Sequence, residues 1–204
     1  MMDHPNFTRH VSVLGHFHHG KTSFLDMLVQ HTHRKHRWTS GDRTTRYTDY
    51  RADEQARELS IKATPISLVL QDLQDKSHAI TLVDAPGHQD FAAEVTAAVR
   101  LTDAAMIVVD AVDGVCMGTE HAIGEALRGG LPIVLCINKI DRLIVEAQLP
   151  PRDAYRKLVL LIEQVNAHIR MQQLSLGLGE AAPHVSPLED SVIFASSTHQ
   201  WAFT

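Results

Sequence analysis

Gly15-His16-Phe17-His18-His19-Gly20-Lys21-Thr22 spells G-x-x-x-x-G-K-T and follows directly on the apolar run Val11 to Leu14. A buried strand ending at Leu14 would hand over to a loop in which two glycines let the backbone curl without a Cβ clash, so that successive N–H groups point inward. Such a loop cradles the α- and β-phosphates of a nucleotide, with Gly15, His16, Phe17, His18, His19 and Gly20 forming its wall. Lys21 then reaches the β- and γ-phosphates, Thr22 places its hydroxyl on Mg²⁺, and a helix from about Gly20 to Gln30 adds the positive end of its dipole. Alone, the octapeptide is also compatible with a glycine-bracketed turn that binds nothing, and the rest of the chain has to decide.

Working outward, apolar runs of strand length alternate with longer stretches of helical period. Strands are expected at His10–Leu14, Ile66–Leu73, His78–Val83, Ala105–Asp110, Pro132–Ile137 and Val192–Ala195, and helices at Lys21–Gln30, Phe91–Leu101, Thr119–Arg128 and Asp153–Arg170. In the last of these Leu158, Leu161, Ile162 and Val165 form one apolar stripe. The alternation predicts an α/β fold with three layers around a mostly parallel six-stranded sheet, and the glycine loop after its first strand makes this the P-loop NTPase kind. Only residues 74–77 separate Ile66–Leu73 from His78–Val83, which predicts a hairpin and one antiparallel edge strand. Residues 31–63 are polar and dense in both charges, and read as a mobile insert or a switch segment ordered by a ligand. Residues 172–190, with Gly177, Gly179, Pro183 and Pro187, read as a surface loop.

Composition narrows the function classes. A chain of 204 residues is of the size of one domain with its own core, and its formal net charge of −5 argues against coating a nucleic acid directly. Cys116 and Cys136 lie in or beside apolar stretches and read as buried free thiols of a reducing compartment. No run approaches the ~20 apolar residues of a membrane span, and Met1 to Arg9 lacks the apolar core of a signal peptide. A soluble, intracellular protein with no membrane contact is expected. Fourteen histidines invite a zinc reading, yet His16, His18, His19, His31, His33 and His36 have no cysteine nearby and no regular ligand spacing.

Two further motifs sit at expected strand ends. Asp84-Ala85-Pro86-Gly87-His88 is a D-x-x-G in which Asp84 would hold Mg²⁺ through a water and the Gly87 N–H would meet the γ-phosphate. Asn138-Lys139-Ile140-Asp141 is an N-K-x-D. Asp141 can accept from both N1–H and the exocyclic amine of guanine, whereas adenine presents an acceptor at N1; such a site favours guanine by a factor on the order of 10⁴. Lys139 would pack along the base, Asn138 would brace the phosphate loop, and the backbone of Ser196 and Ser197 after the last strand would meet the guanine carbonyl. Three motifs in this order, each closing a strand, make a coincidental loop a poor explanation.

Together these elements resemble the translational GTPase superfamily of elongation factors G and 2, over nearly the whole chain. Arg57-Glu58-Leu59-Ser60-Ile61-Lys62-Ala63-Thr64-Pro65 is similar to the first switch of those factors, R-G-I-T-I-K-S-T. The resemblance puts Ser60 at the threonine that binds Mg²⁺ and Glu58 at the glycine. It likewise puts His88 at the catalytic histidine that orients the attacking water, and matches Asp110-Ala111-x-x-Gly114-Val115 to the fourth-strand signature. Translation factors usually carry aspartate where His18 stands. The G-H-x-H-H-G-K-T loop, Asn138 to Ile144, and Leu149-Pro150-Pro151-x-Asp153-Ala154-Tyr155-x-Lys157-Leu158 resemble instead the GTPases of the U5 small nuclear ribonucleoprotein, spliceosomal relatives of elongation factor 2. What this resemblance implies is a nuclear GTP-binding switch domain spanning 1–204, a fragment of a longer multidomain protein. Its ligands would be GTP, GDP and Mg²⁺. Its partners would be a large spliceosomal scaffold protein and other U5 components, with small nuclear RNA reached indirectly or through other domains. Hydrolysis without partners is expected to be slow, on the order of 10⁻⁴ to 10⁻² per second as in unassisted GTPases. A ribosome-dependent elongation factor and a permanently GTP-bound scaffold that does not hydrolyse stay open as alternatives.

Overall fold

Strand β4 (Ala104–Asp110) is apolar on both faces, with Ala105, Ile107 and Val109 in one core cluster and Met106 and Val108 in another, as suits a strand covered by helices on two sides. In the computed structural model, which describes residues 7–32, 46–71, 74–178 and 183–204, β4 is the middle strand of a seven-stranded sheet. The others are β1 (Thr8–Leu14), β2 (Thr64–Gln71), β3 (Ser77–Asp84), β5 (Ile133–Asn138), β6 (Val192–Ser196) and β7 (Trp201–Phe203), in spatial order β2-β3-β1-β4-β5-β6-β7. All neighbours pair parallel except β2 with β3 and β6 with β7. Val13 lies opposite Asp84 and Asp110 opposite Asn138. The carboxyl ends of β1, β3, β4 and β5 therefore open on one edge, where open α/β sheets bind their ligands.

The helices among the described residues are α1 (Lys21–Thr32), α2 (Ala52–Arg57), α3 (Ala92–Arg100), α4 (Met117–Arg128), α5 (Asp141–Val145) and α6 (Pro151–Leu176). Phe24, Leu25, Met27 and Val29 of α1 share a buried cluster with Val13, Leu82, Val108 and Cys136 on one face of the sheet. Buried residues of α3, α4 and α6, among them Val99, Ile123 and Ile169, share a second cluster with Ile107, Leu135 and Ile137 on the other. Ile107, Ile123, Leu135, Ile137 and Ile169 are fully buried, each side chain contributing about 1.5–3 kcal/mol by leaving water. This makes three layers, with α1 directly behind the phosphate loop.

The architecture expected from the sequence is present, with differences that have local causes. The sheet has seven strands rather than six, because Trp201-Ala202-Phe203 pairs antiparallel with β6 and stacks Phe203 on Phe194 at 5.5 Å between ring centres. Both edges are therefore antiparallel. Helix α6 runs on to Leu176, so residues 172–176 are helix rather than loop. Met171, Gln172, Gln173 and Leu174 all favour helix, and the stop comes at Gly177, whose φ of 66° caps the helix in the left-handed region. Pro151 at its first turn sets the start. In the stretch 31–63, α1 continues to Thr32 and α2 forms a further helix; positions 33–45 lie outside the described residues, as do 72–73 at the end of the expected second strand and 179–182 in the expected loop.

Candidate functional site

The turn from β1 into α1 is built by two close approaches. Gly15 has φ 141°, and a Cβ there would lie 2.3 Å from the Val108 carbonyl oxygen; Gly20 has φ 88°, and a Cβ there would lie 2.4 Å from Asn138 Nδ2. Only glycine meets both demands. Between them His18 sits at φ 59°, a conformation that asparagine, aspartate and histidine adopt more readily than other side chains. Lys21 is almost fully buried and donates from Nζ to the carbonyls of Gly15 (3.1 Å) and His16 (2.8 Å). Burial pulls its pKa down to about 8, against the pull of Asp84 and Asp49. Gly87 of the D-x-x-G turn presses on the same loop: a Cβ there would lie 2.4 Å from Lys21 Nζ and 2.7 Å from the Phe17 backbone nitrogen.

Beside the loop is a knot of oxygen atoms. Thr22 Oγ1 donates to Asp84 Oδ2 at 2.7 Å and lies 3.3 Å from Ser60 Oγ. Thr48 Oγ1 donates to the same Asp84 oxygen at 2.7 Å, and Ser60 Oγ donates to Asp49 Oδ1 at 2.8 Å. Asp84 is buried, and its Oδ1 has no hydrogen-bond partner among the described residues. Burial pushes the Asp84 carboxyl above the usual range, resisted by the Thr48 and Thr22 hydroxyls and by Lys21. The sequence pointed to Thr22, Ser60 and Asp84, which the structure brings together; it did not point to Thr48 or Asp49. Ser60 is delivered by Glu54 of α2, a fully buried side chain whose Oε1 accepts the N–H groups of Ile61 (2.8 Å) and Lys62 (3.0 Å). Glu58, which ends α2, has φ 52°.

A cleft of about 220 Å³ opens over these groups, lined by Phe17, His18, Gly20, Lys21, Thr22, Ser23, Arg46, Glu58, Leu59, Ser60, Gly87 and Lys139. Arg46 is a further residue the sequence did not single out, and it pairs with Asp49 at 3.1 Å. At one end of the cleft, Asn138 Nδ2 donates to the carbonyls of His19 (3.2 Å) and Gly20 (3.3 Å), so the brace expected of Asn138 is visible. Lys139 Nζ donates to the His18 carbonyl at 2.5 Å. Asp141 Oδ1 accepts from Ser196 Oγ at 2.5 Å. Ser197 donates both its N–H (3.2 Å) and its hydroxyl (2.9 Å) to Asn138 Oδ1, so it supports Asn138 rather than offering its own amide. Asn138, Asp141, Ser196 and Ser197 lie around the end of the cleft and, unlike Lys139, do not line it. His88 is also outside the lining: its ring is half-exposed, Nδ1 accepts the Asp90 N–H at 3.3 Å, and Phe17 and Phe91 flank it at 6.1 and 6.0 Å between ring centres.

A glycine-bracketed loop between a parallel strand and a helix, with a buried lysine and an acidic strand end facing it, defines the class of P-loop nucleotide-binding domains. The chain belongs to the family described as the elongation factor Tu GTP binding domain, which matches residues 6–204. It is 47% identical to the 110 kDa U5 small nuclear ribonucleoprotein component CLO of Arabidopsis thaliana, over all of this chain and 20% of that protein. It is also 47% identical to the 109 kDa U5 small nuclear ribonucleoprotein component GFL of the same plant, over all of this chain and 21% of that one. The pre-mRNA-splicing factor cwf10 of Schizosaccharomyces pombe is 43% identical over 94% of this chain and 19% of its own length. The chain thus spans about a fifth of these relatives. Among solved structures, a protein of Thermus thermophilus shares the fold with a TM-score of 0.64 and 22% identity, covering 94% of this chain and 38% of that one.

Proposed function

We propose that this chain is the GTP-binding switch domain of a spliceosomal U5 GTPase that acts in pre-mRNA splicing in the nucleus. The observation that supports it most is the meeting of Lys21, Thr22, Ser60, Asp84 and Gly87 around one cleft at the carboxyl edge of the sheet, in a chain whose relatives are U5 and splicing proteins. Lys21 exchanges its loop carbonyls for the β- and γ-phosphate oxygens, and the loop N–H groups surround the remaining charge. Asp141 selects guanine, with Lys139 along the base and Asn138 bracing the loop.

The donor set fits Mg²⁺. It offers hydroxyls of Thr22 and Ser60 and the carboxylate of Asp84, whose buried Oδ1, without a partner among the described residues, is the kind of atom a hard cation satisfies directly or through a water. One or two carboxylates with hydroxyl and phosphate oxygens is the usual magnesium arrangement, and an ion held by these residues would supply charge neutralisation for the phosphates. Ser60 and Gly87 lie on separate segments that meet the γ-phosphate, so its loss releases both; this is the switch. His88 turns toward Asp90 rather than lining the cleft, which favours slow hydrolysis and a long-lived GTP-bound state read by a scaffold protein and other U5 components, with RNA contacted through other parts of the protein.

The test is titration of a fluorescent guanine nucleotide with and without Mg²⁺, in the wild type and in Lys21→Ala. Expected are competition by GTP and GDP but not ATP, a requirement for Mg²⁺, and at least a hundredfold loss in the variant. Unchanged affinity in Lys21→Ala refutes the assignment of the cleft.

A further inference from the structure

Asp110 ends β4 with its side chain fully buried, opposite Asn138 of β5. One carboxylate oxygen, Oδ1, accepts the backbone N–H groups of Val112 (2.8 Å) and Asp113 (3.3 Å). The other, Oδ2, holds two cations at once: Arg142 Nη1 at 2.5 Å and Lys139 Nζ at 3.0 Å. Its own N–H is donated to His19 Nδ1, in the phosphate loop, at 3.3 Å. One buried residue thus touches the phosphate loop, the lysine of the N-K-x-D motif and the arginine that follows that motif's aspartate.

The chemistry of the side chain shows what this arrangement is for. Capping the Val112–Gly114 turn needs only an oxygen acceptor, and asparagine or serine would supply it without the cost of a buried charge. What a carboxylate adds to an acceptor oxygen is the negative charge that balances two cations, and its burial is offset by them together with the two backbone N–H groups. Lys139 and Arg142 flank Asp141 in sequence and are bound to each other through the Arg142 N–H and the Lys139 carbonyl at 3.0 Å. Lys139 is held at φ 59°, a strained backbone that persists only where its surroundings fix it. Arg142 is pinned from its outer side as well, by Glu146 at 2.8 Å. With both ends of the Lys139–Arg142 turn anchored on Asp110, the direction in which the Asp141 carboxylate leaves the first turn of α5 is fixed.

We infer that Asp110, acting through Arg142 and Lys139, is a positioning residue for guanine selection: it aims Asp141 and couples that aim to the phosphate loop through His19. The inference rests on the guanine site proposed above. Asp110 touches no nucleotide in this scheme, so its effect is read in how well Asp141 distinguishes bases rather than in binding as such. ITP keeps the N1–H and carbonyl of guanine and lacks the exocyclic amine, so the GTP to ITP affinity ratio reports whether Asp141 still reaches both donors. Loss of stability or of the phosphate loop weakens GTP and ITP by the same factor and cancels in the ratio.

The experiment measures competitive displacement of a fluorescent guanine nucleotide by GTP and by ITP for the full chain. The wild type is compared with Asp110→Asn, Arg142→Gln and Arg142→Lys, each checked for folding by its thermal transition. Expected is a GTP to ITP ratio at least threefold lower in Asp110→Asn and Arg142→Gln, with Arg142→Lys, which keeps the cation, within twofold of the wild type. If Asp110→Asn does not fold, the two variants of the partly exposed Arg142 carry the comparison by themselves. A ratio unchanged in Arg142→Gln and, where it folds, in Asp110→Asn overturns the inference while leaving the guanine site intact. A wild type that does not discriminate GTP from ATP overturns the guanine site itself.

Discussion

His19 gives the sharpest test of the phosphate loop as a folded object. Its side chain is 1% exposed, Nδ1 accepts the Asp110 N–H at 3.3 Å, and Nε2 has no partner among the described residues. Protonating Nδ1 would destroy that hydrogen bond and put a second charge beside Lys21. Burial, the neighbouring His16 and Lys21 accordingly pull its pKa from 6.5 to about 4, against the opposing pull of Asp110. The sign follows from linkage. Between about pH 6.5 and 4 the unfolded chain binds a proton that the folded chain refuses, so stability is whole above this window and is lost as pH falls through it. At pH 5 the unfolded imidazole is mostly charged and the folded one is neutral, which costs about 2 kcal/mol relative to pH 7 from this residue alone. In His19→Asn the amide Oδ1 takes the place of Nδ1 toward Asp110 and does not titrate. The assay is urea unfolding of both proteins at pH 7 and pH 5, read as the difference of differences, so that the remaining histidines cancel. The wild type should lose about 2 kcal/mol more than His19→Asn on going to pH 5. Equal losses would refute a neutral buried His19, and with it the contact between the loop and Asp110.

Glu58 occupies a left-handed C-cap at φ 52°, so Glu58→Gly should stabilise the chain by about 1 kcal/mol, measured by denaturant midpoint; a destabilised variant would show that the Glu58 side chain outweighs its backbone strain. Cys136 is fully buried and its pKa is pushed up to about 12 by that burial, while Cys116 is only half-buried. A thiol-disulfide reagent at pH 8 should therefore titrate at most one thiol in the native chain and two after unfolding, and rapid reaction of both in the native state would place Cys136 outside the core.

The parts of the site that are legible in the sequence are those a local backbone needs. Gly15 and Gly20 are required by two sub-van-der-Waals approaches within one turn, and Asp84-to-Gly87 and Asn138-to-Asp141 each begin on the last residue of a strand, so contiguous residues carry the whole signal. Thr48, Asp49 and Glu54 are illegible for the opposite reason. Thr48 meets Asp84 across 36 positions, and Glu54 is buried on a helix of six residues whose composition is that of a solvated surface. Asp110 shows only as part of a signature, because the two cations it holds and its contact in the phosphate loop stand 29 to 91 positions away. The same distinction bears on the fold: β7 is three residues long and exists through a cross-strand aromatic pair, whereas α6 was visible over most of its length because its buried stripe repeats.

His18 shows where the two kinds of information must be joined. In the sequence it is a histidine at a position where translation factors carry aspartate, which raises the question of a lost carboxylate. In the structure the residue has φ 59°, its carbonyl receives the Lys139 ammonium, and its imidazole is exposed at the wall of the cleft. The contact that residue 18 makes with the N-K-x-D motif is therefore made by its backbone. It asks of residue 18 only that it tolerate the left-handed region, which histidine and aspartate both do. That contact consequently does not depend on which of the two stands there. Any task that the aspartate carboxylate performs by its charge is a separate matter, since an imidazole in the same place offers no anion, and a histidine-to-aspartate exchange at this position divides the two roles cleanly.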